Sequence, residues 1–180
     1  MGSGTRLIGL VTASLLVCMG APAAAQTFGP PVAGICLLSR TSAIAASRAG
    51  QSMQVQLKQM QASLNGELAQ RRTGLEQQRR QLAGRQSSIA PIEYQRQMAG
   101  IDRQIQTLDQ QQNVRFIAAQ QRGQQQLDRA LGDGLARVIT RNACGVVFER
   151  DNSYGWNNAM DITGAVTGEM DSILSAVTLQ

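Results

Sequence analysis

The chain has 180 residues, a length that points to one domain, with 17 basic and 12 acidic side chains and no histidine. The missing histidine removes the usual general base and the commonest transition-metal ligand. No Cys-x-x-Cys motif or acidic cluster at ligand spacing replaces it. The composition therefore argues against an enzyme, and no cofactor or metal site is expected.

Residues 1–25 read as a secretory signal peptide. Arg6 precedes an apolar run over residues 7–17, which is too short to span a bilayer as a helix. Ala23, Ala24 and Ala25 place small residues before Gln26, so cleavage before Gln26 and export to the periplasm are expected. Cys18 follows Leu15, Leu16 and Val17 rather than small residues, which disfavours lipid attachment. The exported chain keeps Cys36 and Cys144. An oxidising compartment permits a disulfide between them, and separate packing as two small buried side chains is the alternative.

Residues 26–41 hold a Pro/Gly tail and then an apolar run, residues 32–38, of the length of a buried strand. Thr41 and Ser42 can cap a helix. Residues 42–141 have helical composition with a single proline, Pro91, and residues 84–91 gather turn-forming Gly, Ser and Pro. The segment is read as two helices, residues 42–87 and 91–141, folded back on each other, each arm roughly 70 Å long.

The apolar spacing supports a coiled-coil hairpin. Met53, Leu57, Met60, Leu64, Leu68, Leu75 and Leu82 form a heptad stripe with one four-residue stutter near Leu68. Met98, Ile101, Ile105 and Leu108 form the facing stripe, which Phe116, Ala119, Leu127, Leu131, Leu135 and Val138 resume. Interior glycines such as Gly66, Gly74, Gly100 and Gly123 each cost about 1 kcal/mol relative to alanine, which suggests arms that bend or a tolerant coiled coil.

Residues 142–180 change character. Residues 143–149 look like a strand, residues 151–153 a turn, and residues 154–157 the returning strand of a β-hairpin. Ile162, Val166, Met170, Ile173, Leu174 and Val177 share one face of a terminal helix. The fold class is thus α+β, mostly α: a long antiparallel helical hairpin projecting from a small β-rich body. Three short strands are marginal alone, so several copies are expected to pool them.

Charge divides along the same boundary. Residues 47–141 hold 14 basic and 7 acidic side chains, and residues 142–180 hold one basic and five acidic. Positive arms suit acidic polymers, anionic headgroups or acidic proteins. Nucleic acid is not expected, because the chain is exported and only 3% of its residues are aromatic, too few for stacking platforms. Glutamine supplies 22 of the 76 residues from 51 to 126, giving a hydrated helical surface.

Near the end, Gly145-Val146-Val147-Phe148-Glu149 and Asp161-Ile162-Thr163, with Val166 following, resemble the closing strand and helix opening of the Skp/OmpH periplasmic chaperones. Residues 35–39 sit where that family has its first strand. Lys58 is the only lysine in the arms, where the family often uses many, and the two cysteines lie outside its pattern. The resemblance implies a homotrimer whose arms enclose unfolded outer-membrane proteins without nucleotide. A periplasmic coiled-coil adaptor bridging envelope components is the competing expectation. Arg79, Arg80, Arg85 and Arg96 flank the Pro91 turn and are the candidate contacts for unfolded clients or anionic lipid headgroups.

Overall fold

The computed structural model describes residues 28–179, so the signal-peptide reading and the cleavage before Gln26 lie outside the described residues. Strand β1 (Ile35–Leu38) leads into a short helix α1 (Arg40–Ala46). The first arm is α2 (Arg48–Gly84) and the second is α3 (Pro91–Arg141). Strand β2 (Val146–Glu149) follows, and after two single 3-10 turns comes α4 (Thr163–Ile173).

The first arm is shorter than expected because residues 42–87 do not form one helix. Ser47 takes an extended conformation (φ −69°, ψ 149°), and its hydroxyl accepts the Gly50 N–H at 3.0 Å, capping a new helix. The Ile44 carbonyl sits over Gly50, where a Cβ has no room. At 1.5 Å per residue, the 37 residues of α2 span roughly 55 Å and the 51 of α3 roughly 75 Å.

At the far end, a 3-10 turn over Gln86–Ser88 reverses the chain. Pro91 then opens α3 at a position where its missing N–H costs nothing, and the Ala90 carbonyl accepts Glu93 and Tyr94 N–H groups at 2.9 and 3.0 Å.

The expected β-hairpin does not form. β2 instead pairs in parallel with β1, Ile35 opposite Val146 and Leu38 opposite Glu149. Parallel strands need a long crossover, and here the helical arms supply it. Residues 154–157 are not a strand. Their backbone is engaged elsewhere, with the Trp156 carbonyl accepting Phe28 N–H at 3.2 Å. On its other side β1 meets Asp161 in a single bridge, and the Ile162 N–H donates to the Leu37 carbonyl at 2.9 Å. Among the described residues β1 is thus the covered strand and β2 the free edge.

Two apolar cores result. The base core joins Cys36 and Leu38 to Ala43, Met53, Leu127, Val138, Val166 and Met170. Gly134 admits α4 against α3: a Cβ there would lie 3.2 Å from the Glu169 Cβ and 3.3 Å from the Met170 N. The second core lies in the outer arms, around Leu75, Leu82 and Ile101. In α2 the fully buried positions Met53, Leu64 and Leu75 recur every 11 residues, then Leu82 after seven. The expected stutter is therefore present, and Leu57, Met60 and Leu68 are only half-buried because the seam drifts past them.

Cys36 and Cys144 form a disulfide with Cα atoms 5.7 Å apart, closing the whole arm pair into a loop. The terminal helix is shorter than its apolar face suggested. Leu174 is extended (φ −140°, ψ 112°), and Val177 lies beyond the helix against α2 and α3.

Candidate binding surface of the arms

The site begins with what fixes the arms to the base. Ser39, fully buried at the end of β1, donates its hydroxyl to Asp151 at 2.6 Å, and its N–H to the Thr163 hydroxyl at 2.9 Å. Arg150 donates to Asp161 at 2.8 Å and to the Ser42 hydroxyl at 3.1 Å, and it lies 5.5 Å over the Trp156 ring. Asp161 also accepts the Thr163 N–H at 2.9 Å, opening α4. Burial pushes the Asp161 carboxyl up, but its bonds from Thr163 and Arg150 together outweigh burial and hold it below the ordinary carboxylate range. The Asp161-Ile162-Thr163 segment is thus the hub that locks β1, α1 and α4 together.

The arms are held in register by ion pairs across the seam: Arg72 with Asp109 at 2.6 Å, Arg115 with Glu67 at 3.1 Å, and Arg79 with Asp102 at 3.9 Å. Each is exposed and contributes less than about 1 kcal/mol, so they align more than they stabilise. Between the two apolar cores the seam carries Gln112, whose buried Oε1 has no partner, next to Asp109, whose Oδ1 also lacks one. The middle of the seam is therefore more polar than its ends.

Of the four tip arginines, Arg79 and Arg80 lie on the last turns of α2, Arg85 caps that helix, and Arg96 lies near the start of α3. The hairpin turn brings the two sides to one end of the molecule. Arg80 approaches Glu76 at 4.0 Å and Arg96 approaches Glu93 at 3.3 Å, both along their own helix. Arg85 has no ion pair among the described residues. Residues 71–103 hold seven basic and three acidic side chains, so the outer arms keep a net charge of +4.

Two features lie outside the expectations drawn from the sequence. A cleft of about 660 Å³ opens between the arms over Leu75 and Leu108, where Gly74 and Gly100 lack side chains and Arg71 and Arg103 form the rim. Large apolar side chains also stand in solvent along the arms, Val55 at 54%, Ile92 at 68% and Val114 at 65% exposure. Their off-seam positions in the helical period were the available signal.

No group of His, Cys, Asp and Glu among the described residues is arranged to hold a metal ion, and no described helix is long and apolar enough to cross a membrane. Long paired helices with net positive outer arms, on a small disulfide-closed base, define the class of helical-hairpin proteins. The family model for OmpH-like outer membrane proteins matches residues 34–170, and the chain belongs to that family.

A solved structure of an OmpH-like protein from Caulobacter crescentus CB15, described as a candidate outer membrane chaperone, is similar throughout. The TM-score is 0.73 at 25% identity, covering 85% of this chain and 92% of that one. No curated protein matches the chain. The family and this neighbour place the protein among chaperone-like relatives.

Proposed function

We propose that the protein is an ATP-independent holdase of the periplasm that binds unfolded outer-membrane proteins and keeps them from aggregating. The observation that carries this reading is the surface of the arms. Apolar side chains left in solvent, such as Val55, Ile92 and Val114, stand on helices rich in glutamine and arginine, a surface that can touch exposed apolar segments without itself collapsing. The net positive outer arms add long-range attraction for acidic clients or anionic headgroups, with Arg79, Arg80, Arg85 and Arg96 as the proposed contacts.

The working form is a homotrimer. Among the described residues β2 is hydrogen-bonded on one side only, and Val146 and Phe148 on it are 45% and 53% exposed, an edge suited to a second copy of the chain.

The test is a panel of unrelated β-barrel proteins diluted from urea. A holdase suppresses the light scattering of most of them with little selectivity. If unfolded proteins aggregate unhindered while one folded envelope protein binds tightly, the coiled-coil adaptor reading replaces this one.

A further inference from the structure

The segment after α4 is a place where the arms already hold a peptide. Val177 and Leu179 are buried, at 4% and 3% exposure, while Thr178 between them is exposed. That is the two-residue alternation of an extended strand. Leu179 enters the seam where α3 carries Gly123, and a Cβ there would come within 2.8 Å of its Cδ2.

The backbone of the segment is read by glutamines from both arms. Gln56 Nε2 donates to the Val177 carbonyl at 2.8 Å. Gln126 Nε2 donates to the Thr178 carbonyl at 2.7 Å, and its Oε1 accepts the Thr178 N–H at 3.0 Å. One side-chain amide thus serves both backbone groups of a residue, as a neighbouring strand would. None of these bonds depends on which side chain residue 178 carries. Beyond Leu179 the cleft continues toward the tip for about 430 Å³ past Gln59, Met60, Ser63 and Leu64.

We propose that this cleft is a binding site for extended segments of alternating apolar and polar residues, read through their backbone by glutamine amides, and that residues 175–179 occupy it in cis. The choice of ligand rests on the holdase reading: strands of membrane β-barrels alternate with period two, the pattern that Val177, Thr178 and Leu179 present. Glutamine fits the role because it is neutral, long, helix-forming and both donor and acceptor. An incoming segment fills the continuation of the cleft and competes with the tail for Gln56 and Gln126.

The test uses the full chain with a photo-cross-linking side chain at Ser63, in the cleft, or at Gln61, roughly 200° away around α2. Helix content is checked by circular dichroism. The probes are a synthetic peptide with the sequence of residues 174–180 and an eight-stranded β-barrel protein diluted from urea. Position 63 should capture both probes about tenfold better than position 61, and excess peptide should displace the barrel protein. N-methylation of the peptide at its threonine, which removes the N–H that Gln126 accepts and leaves the competing tail untouched, should lower peptide capture about tenfold, the effect of one net hydrogen bond.

Equal capture at the two positions, or undiminished capture of the N-methylated peptide, would overturn the proposal. So would a barrel protein held in solution and cross-linked at position 63 regardless of peptide, in which case the holdase reading survives and the cleft does not. If the barrel protein aggregates while peptide capture keeps its sensitivity to N-methylation, the holdase reading fails and the cleft stands.

Discussion

Asp161 is a single residue on which three elements of the base converge. Its carboxylate bonds Arg150 and the Thr163 N–H, and the backbone beside it bonds β1. Asp161→Asn weakens a charge-assisted hydrogen bond in a partly buried site, and should cost about 1.5–3 kcal/mol of stability by urea denaturation. A carboxyl whose pKa is lower folded than unfolded stabilises the fold above its unfolded pKa of about 3.9 and loses that contribution as pH falls through its folded value. The parent should therefore lose stability below about pH 4, and the Asn variant should lose less over the same range. An identical acid profile in the two proteins would show that Asp161 is not a coupling point.

The elements of the base are bound by one covalent link. Cys36 and Cys144 are 108 residues apart, so their bond closes a loop that contains both arms. Replacing both with serine should lower stability by about 2–5 kcal/mol, read from denaturant midpoints with and without reductant. A double variant as stable as the oxidised parent would mean that the strand pairing alone suffices.

At the same scale, β2 offers its free edge. Val147 turns toward the core while Phe148 faces solvent, so Phe148→Glu should reduce self-association and leave the monomer folded. Light scattering that finds the same mass for parent and variant would move the interface elsewhere.

How far these elements were legible depends on where their determinants lie. Pro91 and the Gly/Ser run before it mark the turn locally, and the recurrence of Leu and Met marks the seam, so the hairpin can be read from the sequence. The parallel pairing of β2 cannot, because Val146–Glu149 is equally apolar in a hairpin or beside β1. Only the return of α3 to the base decides between them. Ser47 hides a helix break inside a helical composition, and the break depends on the Ile44 carbonyl meeting Gly50. The role of Gln56 and Gln126 is invisible for the same reason, since their partners lie 121 and 52 residues away and are backbone atoms with no sequence signature.

Across the whole molecule, the base and the arms are built differently. The base carries the disulfide, the larger core and the polar hub, whereas the arms carry a narrow seam and interior glycines, and both expose apolar groups. On the proposed holdase reading, a narrow-seamed limb suits diverse unfolded chains, because a tightly packed limb would present one shape only.

On the proposed reading, the tip arginines draw clients by an attraction that is screened beyond a Debye length of about 8 Å at physiological salt. Replacing Arg79, Arg80, Arg85 and Arg96 together with glutamine should slow client capture severalfold at low salt and leave helix content unchanged. Capture at the parent rate would assign the charges to solvation alone.

The most direct measurement is the mass of the complex formed when an unfolded β-barrel protein is diluted from urea into a solution of the protein. It is read by light scattering on a sizing column without nucleotide. The account predicts one soluble species with the mass of three chains plus client. A client found only in the aggregate, with the protein eluting alone, would contradict it.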